Sequence, residues 1–259
     1  MQVTYDNNSN QKDSASLSQL IYHQRLLLSI YILEQTQFSV VRGPFIGVQF
    51  PQLVGGWSSA DLGGMALGLY EQELLTEIDR VGCVDTFINL GGADGYYSVS
   101  LVKSGIAQKA FYFESDEHAH AYCRTFADLN NVLDLVSLYG TADSNFLDHV
   151  SYDESKSNLL LADIEGGEFD LFANARLFQR LKSFTVIIEI HAQESEKLLR
   201  TRCILDASNT THHSRWLTTG ARDLSSFTIL DTLDDTNRWL IASEGRPYRM
   251  SWLVLTPIV

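Results

Sequence analysis

The hydrophobic positions change period along the chain, and each change predicts an element. Between Leu17 and about Gln37 apolar residues recur at helical spacing (Leu17, Leu20, Ile21, Leu27, Leu28, Tyr31). That spacing predicts an amphipathic helix, preceded by a polar, flexible tail over residues 1–16. Such a helix either packs on the main body or serves as a lid or a homodimer contact. Phe38–Val41 and Phe45–Phe50 flank Gly43-Pro44 and read as a short hairpin. A loop carrying Gly55, Gly56, Gly63 and Gly64 follows, and then a helix from about Gly68 to Arg80.

From Val84 onward the pattern becomes strand–helix alternation. Apolar runs at Asp85–Leu90, Lys109–Phe113, Leu133–Leu138, Leu159–Ala162 and Phe184–Ile190 predict five strands. Helical spacing appears between them at Tyr96–Lys103, Asp116–Asn130 and Glu168–Leu181. Strands that are apolar on both faces belong to a parallel sheet covered by helices on each side. The C-terminal third is less regular. Thr228–Leu230, Trp239–Ala242 and Ser251–Leu255 read as strands added antiparallel to the sheet edge, with Gly245-Arg246-Pro247 as a turn. The resulting layout is a tail at 1–16, a helix-and-hairpin extension at 17–67, and one α/β domain at 68–259.

Composition narrows the partners. With 19 Lys+Arg against 32 Asp+Glu, the net charge of −13 argues against phosphate neutralisation, so neither a nucleic acid nor an anionic membrane is an expected partner. The longest apolar stretch, Leu26 to Leu33, is too short to span a bilayer. Met1 to Ser16 is polar and unlike a signal peptide, and the chain reads as cytoplasmic. Cys83, Cys123 and Cys203 form no CxxC pair; Cys83 and Cys123 read as small core residues.

Four segments carry candidate chemistry. Asn89-Leu90-Gly91-Gly92-Ala93-Asp94-Gly95 ends the first strand, and its glycines let the chain turn sharply and present backbone N–H groups to a ligand. The spacing differs from the GxGxxG of a dinucleotide site and suits a nucleoside bound without a pyrophosphate. Glu114, at the tip of the second strand, can accept from both hydroxyls of a ribose or can serve as a helix N-terminal acid. Asp143, beyond the third strand, accepts from an adenine amino group or caps the helix that follows. Asp163 closes the fourth strand, and Glu189 and His191 are two apart at the end of the fifth, projecting to one side. A carboxylate beside Glu-x-His is an acid/base or metal constellation, or else a hydrogen-bond pair that orders the strand ends. His212 and His213 could reach the site from a long loop, and Arg246 could bind an anion or pair with Glu244.

These residues resemble a class I S-adenosylmethionine (SAM)-dependent methyltransferase, and specifically the FkbM-like family. The resemblance rests on Ile88-Asn89-Leu90-Gly91-Gly92-Ala93-Asp94-Gly95, Phe113-Glu114, Leu129-Asn130, Asp163-Ile164-Glu165-Gly166-Gly167-Glu168 and Ile188-Glu189-Ile190-His191. Tyr70-Glu71 and Ser243-Glu244-Gly245-Arg246-Pro247 resemble one branch of it. Two positions depart from the family pattern: an acid is usual where Asn89 stands, and a lysine is frequent at Leu161. The resemblance implies a Rossmann-like, mostly parallel seven-stranded sheet and SAM held by Asn89, Gly91, Gly95, Glu114 and Asp143. Catalysis would fall to Asp163, Glu189 and His191, acting on a hydroxyl of a small molecule or glycan, with or without a divalent metal. A non-catalytic partner or binding module that kept the fold is the alternative.

Overall fold

A computed structural model describes residues 7–52 and 59–258; Gly55 and Gly56 of the expected glycine loop lie outside them. The first element among the described residues is helix α1 (Asn7–Gln35), so residues 7–16, expected as part of a flexible tail, are helical. An isolated bridge between Ser39 and Gln49 stands where a hairpin is expected. Gly63 and Gly64 fall inside a short helix, α2 (Leu62–Ala66), rather than in a loop, and Gly63 lets that helix press against α1, since a side chain there would collide with the Ser29 backbone. Helix α3 (Gln72–Val81) leads into the sheet.

The alternating region runs β1 (Val84–Leu90), α4 (Tyr96–Lys103), β2 (Ala107–Phe113), α5 (Glu117–Leu129), β3 (Val136–Tyr139) and β4 (Asn158–Ala162). Two short helices follow, α6 (Glu168–Leu171) and α7 (Ala175–Arg180), then β5 (Phe184–Glu189). The single helix expected over 168–181 is broken because Asn174 is extended and its side chain accepts from the Arg176 N–H, starting a new helix there. Beyond β5 come α8 (Glu194–Ser208), β6 (His212–Thr218), α9 (Asp235–Ile241) and β7 (Ser251–Pro257). Trp239–Ala242 is therefore helix rather than strand, started by the Asp234 carboxylate accepting from the Asn237 N–H, and Thr228–Leu230 is a 3₁₀ turn.

The seven strands order as β3-β2-β1-β4-β5-β7-β6. The first five pair in parallel, and β7 is antiparallel to both β5 and β6, which gives the α/β, Rossmann-like architecture expected from the sequence. Strand order reverses between β1 and β4, and in open sheets of this kind ligands bind outside the carboxyl ends at that reversal. Period-2 alternation splits the sheet's side chains between two cores. Phe87, Leu159, Leu161, Ile187, Trp252 and Val254 pack with α3, α4, α5 and the C-terminal half of α1. Ile88, Leu160, Val186, Ile188 and Leu253 pack under α7 and α8 on the other face. Leu28, Ile32 and Leu33 thus anchor α1 in the main core, while Leu17, Leu20 and Leu27 remain exposed. No helix among the described residues is long and apolar enough to cross a membrane.

Candidate active site

The strand tips are brought into one edge by register. Leu90 pairs with Phe113 on one side and Ala162 on the other, so the loops after β1, β2 and β4 emerge together. The Gly91 N–H donates to the Phe113 carbonyl (2.9 Å) and the Asp163 N–H to the Leu90 carbonyl (2.9 Å). Gly91 has φ +76°, and an added Cβ there would lie 1.7 Å from the Asp163 carbonyl oxygen. Only glycine fits this approach. Gly95 begins α4 at φ +84° against Cys123, the buried cysteine of α5. Cys83, by contrast, is exposed and is not the core residue the sequence suggested, because it lies in the connection just before β1.

Glu114 staples the glycine loop to the β2 tip. One carboxylate oxygen accepts from the Ala93 N–H (3.0 Å), and the other from the Ser115 and Asp116 N–H groups and the Ser115 hydroxyl. An open cleft of 520 Å³ lies directly above, lined by Gly91, Glu114, Thr141, Ser144, Asp163 and Leu171 among others. A narrower cavity of 50 Å³ shares Gly91 and Asp163 with it and reaches inward to Glu71, Asn89 and Glu189. The Asn89 amide is buried and donates to the Ser98 hydroxyl of α4 (3.1 Å). Asp143 does not line the cleft; its exposed carboxylate accepts from the Asn145 N–H and caps the turn that follows, which is the capping alternative read from the sequence.

Asp163, Glu189 and His191 do come together, with their ligand-type atoms within 4.8 Å of one another. His191 Nε2 stands 3.4 Å from Asp163 Oδ1, 3.5 Å from Glu165 Oε2 and 4.0 Å from Glu189 Oε1. What fixes the ring is Glu168, which the sequence places at the start of the helix expected after the fourth strand. Its fully buried Oε1 accepts from both the His191 main-chain N–H (3.0 Å) and Nδ1–H (3.3 Å). Burial works to raise the Glu168 carboxyl, but these hydrogen bonds outweigh it and hold the group below its ordinary range. Burial likewise pulls the imidazole down, and the facing carboxylates more than reverse this, so His191 titrates above its ordinary value.

Two further residues belong to the site: Arg246, for which the sequence offered an anion or Glu244 as partner, and Glu71, whose place only long-range contact reveals. Arg246 donates from Nη1 to Glu189 (2.5 Å), from Nε to Glu244 (2.9 Å) and from Nη2 to Glu71. It pairs with Glu244 as one reading of the sequence had it, and adds two carboxylates from distant elements. Glu71 is fully buried, also accepts from the Tyr97 hydroxyl, and has its carboxyl pushed up to about 7 by burial against the pull of Arg246. Burial, then Asp163 and Glu71, raise Glu189 well above the ordinary carboxylate range. Glu71, Ala93 and Glu165 are non-glycine residues held at φ between 43° and 51°, a conformation that costs energy and that clusters at binding sites.

His212 and His213 are excluded from the site. They lie on β6 rather than in a loop, and buried His212 is tied to the Phe184 carbonyl (3.0 Å) and Thr211 at the far end of β5. Burial lowers its pKa, as suits a neutral core histidine.

No family model and no curated protein matches this chain. Solved structures with a similar fold include a precorrin-6y C5,15-methyltransferase from Geobacter metallireducens (10% identity, 71% of this chain and 87% of that one, TM-score 0.48). An O-methyltransferase from Bacillus cereus in complex with SAH is similar over 73% of this chain and 80% of its own (12% identity, TM-score 0.45). The B. subtilis m1A22 tRNA methyltransferase is similar over 71% and 65% (11% identity, TM-score 0.44).

Proposed function

We propose that this chain is a SAM-dependent methyltransferase of the FkbM-like type that methylates a hydroxyl of a small molecule or glycan. The observation that carries the reading is the cleft over Gly91, Glu114 and Asp163 at the strand-order reversal, continuous with the Asp163–Glu189–His191 cluster. The residues fit a nucleoside cofactor. Gly91 leaves the β1 tip bare of side chain, Glu114 offers acceptor lone pairs at the cleft wall, and Thr141 and Ser144 line its far side in place of Asp143. Asn89 and Glu71 line the inner cavity, where carboxylates suit a cationic amino-acid end, while Gly95 lines neither cavity and serves the start of α4 against Cys123. When bound, SAM supplies an electrophilic methyl on a sulfonium.

The chain's own task is to make the acceptor reactive. A hydroxyl is a poor nucleophile at neutral pH and must shed its proton as the methyl arrives. Asp163, Glu189 and His191 stand together at the β4 and β5 tips, where they can orient that hydroxyl and draw its proton away.

Calorimetry with S-adenosylhomocysteine (SAH) tests the cofactor part. Glu114→Gln turns an amide N–H toward donors that now meet a carboxylate, and it removes charge from the ribose contact. Its SAH affinity is expected to fall by about 10–150-fold, the equivalent of one charge-assisted hydrogen bond. An unchanged affinity would remove Glu114 from the cofactor site, and binding of NAD without SAH would refute the methyltransferase reading. A screen of hydroxylated acceptors with labelled SAM tests the reaction. On the acceptor it identifies, Asp163→Ala and His191→Ala should each lower turnover at least about 100-fold. Full turnover in both variants would show that the reaction takes place elsewhere.

A further inference from the structure

We propose that Asp163, Glu189 and His191 form a site for one divalent first-row cation of the Mn²⁺ kind. The arrangement of the histidine points to it. Glu168 is a carboxylate that can only accept, so Nδ1 of the His191 ring carries a hydrogen, and Nε2 is left facing Asp163, Glu165 and Glu189, where a cation can take the place of a proton on it. A buried carboxylate that fixes the tautomer of a histidine from behind is how metal-ligating imidazoles are oriented. The main-chain N–H of Gly166 in turn donates to the other oxygen of Glu168 (2.8 Å), so the orienting group is itself held.

Asp163 supplies the second, independent observation. Its Oδ1 is turned away from solvent, although the side chain as a whole is partly exposed, and its nearest polar neighbour is His191 Nε2 at 3.4 Å. A cation between the two would complete an oxygen that burial otherwise leaves poorly solvated. Neighbouring ligands of an octahedral ion at about 2.1–2.4 Å stand about 3.0–3.4 Å apart. The separations around Nε2, from 3.4 to 4.0 Å, close to that range with small side-chain rotations. Glu189 also serves Arg246, and a carboxylate has lone pairs enough for both. Charge favours the ion as well. Arg246 is taken up by Glu71, Glu189 and Glu244, and Arg222 by Glu244 and Glu73, while Asp163, Glu165 and Glu168 face His191. Two carboxylates and one imidazole form a mixed set that suits Mn²⁺ better than a purely oxygen-seeking ion.

The consequence deepens the methyl-transfer reading and rests on it. Three protein ligands leave open positions, where an acceptor hydroxyl bound to the cation becomes more acidic. Its proton passes to solvent by way of exposed Glu165, the C–O bond forms as the C–S bond breaks, and the sulfonium becomes a neutral thioether.

Titration of the full chain with Mn²⁺ alone, reading free Mn²⁺ by electron paramagnetic resonance, tests the site without cofactor or acceptor. One saturable site per chain is expected. Asp163→Asn and His191→Gln should each weaken it more than about tenfold, and Glu168→Gln, which touches no ion, by about 10–100-fold. Asp170→Asn, an exposed acid on the cleft wall, should leave it unchanged. Should a variant fail to fold, the pulsed spectrum of the unaltered protein still reports the ligand, through nitrogen coupling from the imidazole to the bound ion. Absence of a saturable site, unchanged affinity in both ligand variants, or absence of nitrogen coupling would overturn the proposal. SAH calorimetry in the presence of EDTA separates the two readings. SAH binding with no Mn²⁺ site strikes the cation alone, and a Mn²⁺ site in a chain that ignores SAH supports the cation and strikes the transfer reaction.

Discussion

Gly91→Ala is expected to abolish SAH binding and to cost at least about 3 kcal/mol of stability, the scale of a severe backbone clash. Two effects add. An alanine at φ +76° carries the left-handed penalty of roughly 1–2 kcal/mol. The larger part is steric, because the new Cβ would stand 1.7 Å from the Asp163 carbonyl, a backbone atom that cannot swing aside. That carbonyl belongs to the residue whose N–H ties β4 to Leu90, so relief requires opening the β1–β4 tip where the two cavities meet. Gly105→Ala is the matched control. It has φ +74° with nothing within 4 Å of the added methyl, so it should cost only about 1–2 kcal/mol and leave SAH binding intact. Urea unfolding of both variants with calorimetry checks the pair, and equal losses would mean that close approach at Gly91 is not what the glycine provides.

That same close approach is legible in the sequence, because a glycine loop at the end of an apolar run predicts it. The core of the sheet is legible for a related reason: β1, β2, β4 and β5 are mostly buried, so each carries an apolar run that ends where a polar tip or glycine begins. Elements whose faces are wet on one side are harder. Helix α8 carries exposed Leu198 and Leu199 beside buried Lys197 and Thr201, which inverts the usual pattern and hides its period. Lys197 is buried because its ammonium donates to Ser251 and lies over the Trp216 ring, contacts that no local reading anticipates. Strand β6 begins with His212-His213 and a polar edge, so its sequence reads as loop.

The site divides along the same line. Asp163, Glu189 and His191 stand at strand tips and can be placed by topology alone. The partners that set their behaviour cannot. Arg246 and Glu71 are 175 residues apart in sequence and meet only because β7 returns antiparallel to β5. Glu168 reads as an ordinary acid opening a helix until the turn at Glu165 and Gly166, both at positive φ, folds it under His191.

Arg246→Met should therefore destabilise the protein by about 3–5 kcal/mol, because it removes the cation and leaves buried carboxylates behind. Methionine keeps the length of the stem, so packing is largely preserved and the loss is electrostatic. The cost should depend on pH with a definite sign. Even beside Arg246 the Glu71 carboxyl is pushed up from 4.5 to about 7, first by burial. A carboxyl raised in the folded state binds protons that the unfolded chain releases, so its stabilising contribution is full below its ordinary value and lost as pH rises through about 7. Without the guanidinium, Glu71 and Glu189 both shift further upward, since Arg246 is the attraction that opposes their burial. The deficit of the variant relative to the unaltered protein should then widen between pH 5 and pH 8 and narrow on acidification. Arg246→Lys should fall between the two, because one ammonium cannot serve Glu71, Glu189 and Glu244 together. Urea unfolding at several pH values measures this directly. A deficit that stays constant from pH 5 to pH 8 would mean that Glu71 and Glu189 keep their protons over that range with or without the guanidinium, and that the site carries less negative charge than its residues suggest.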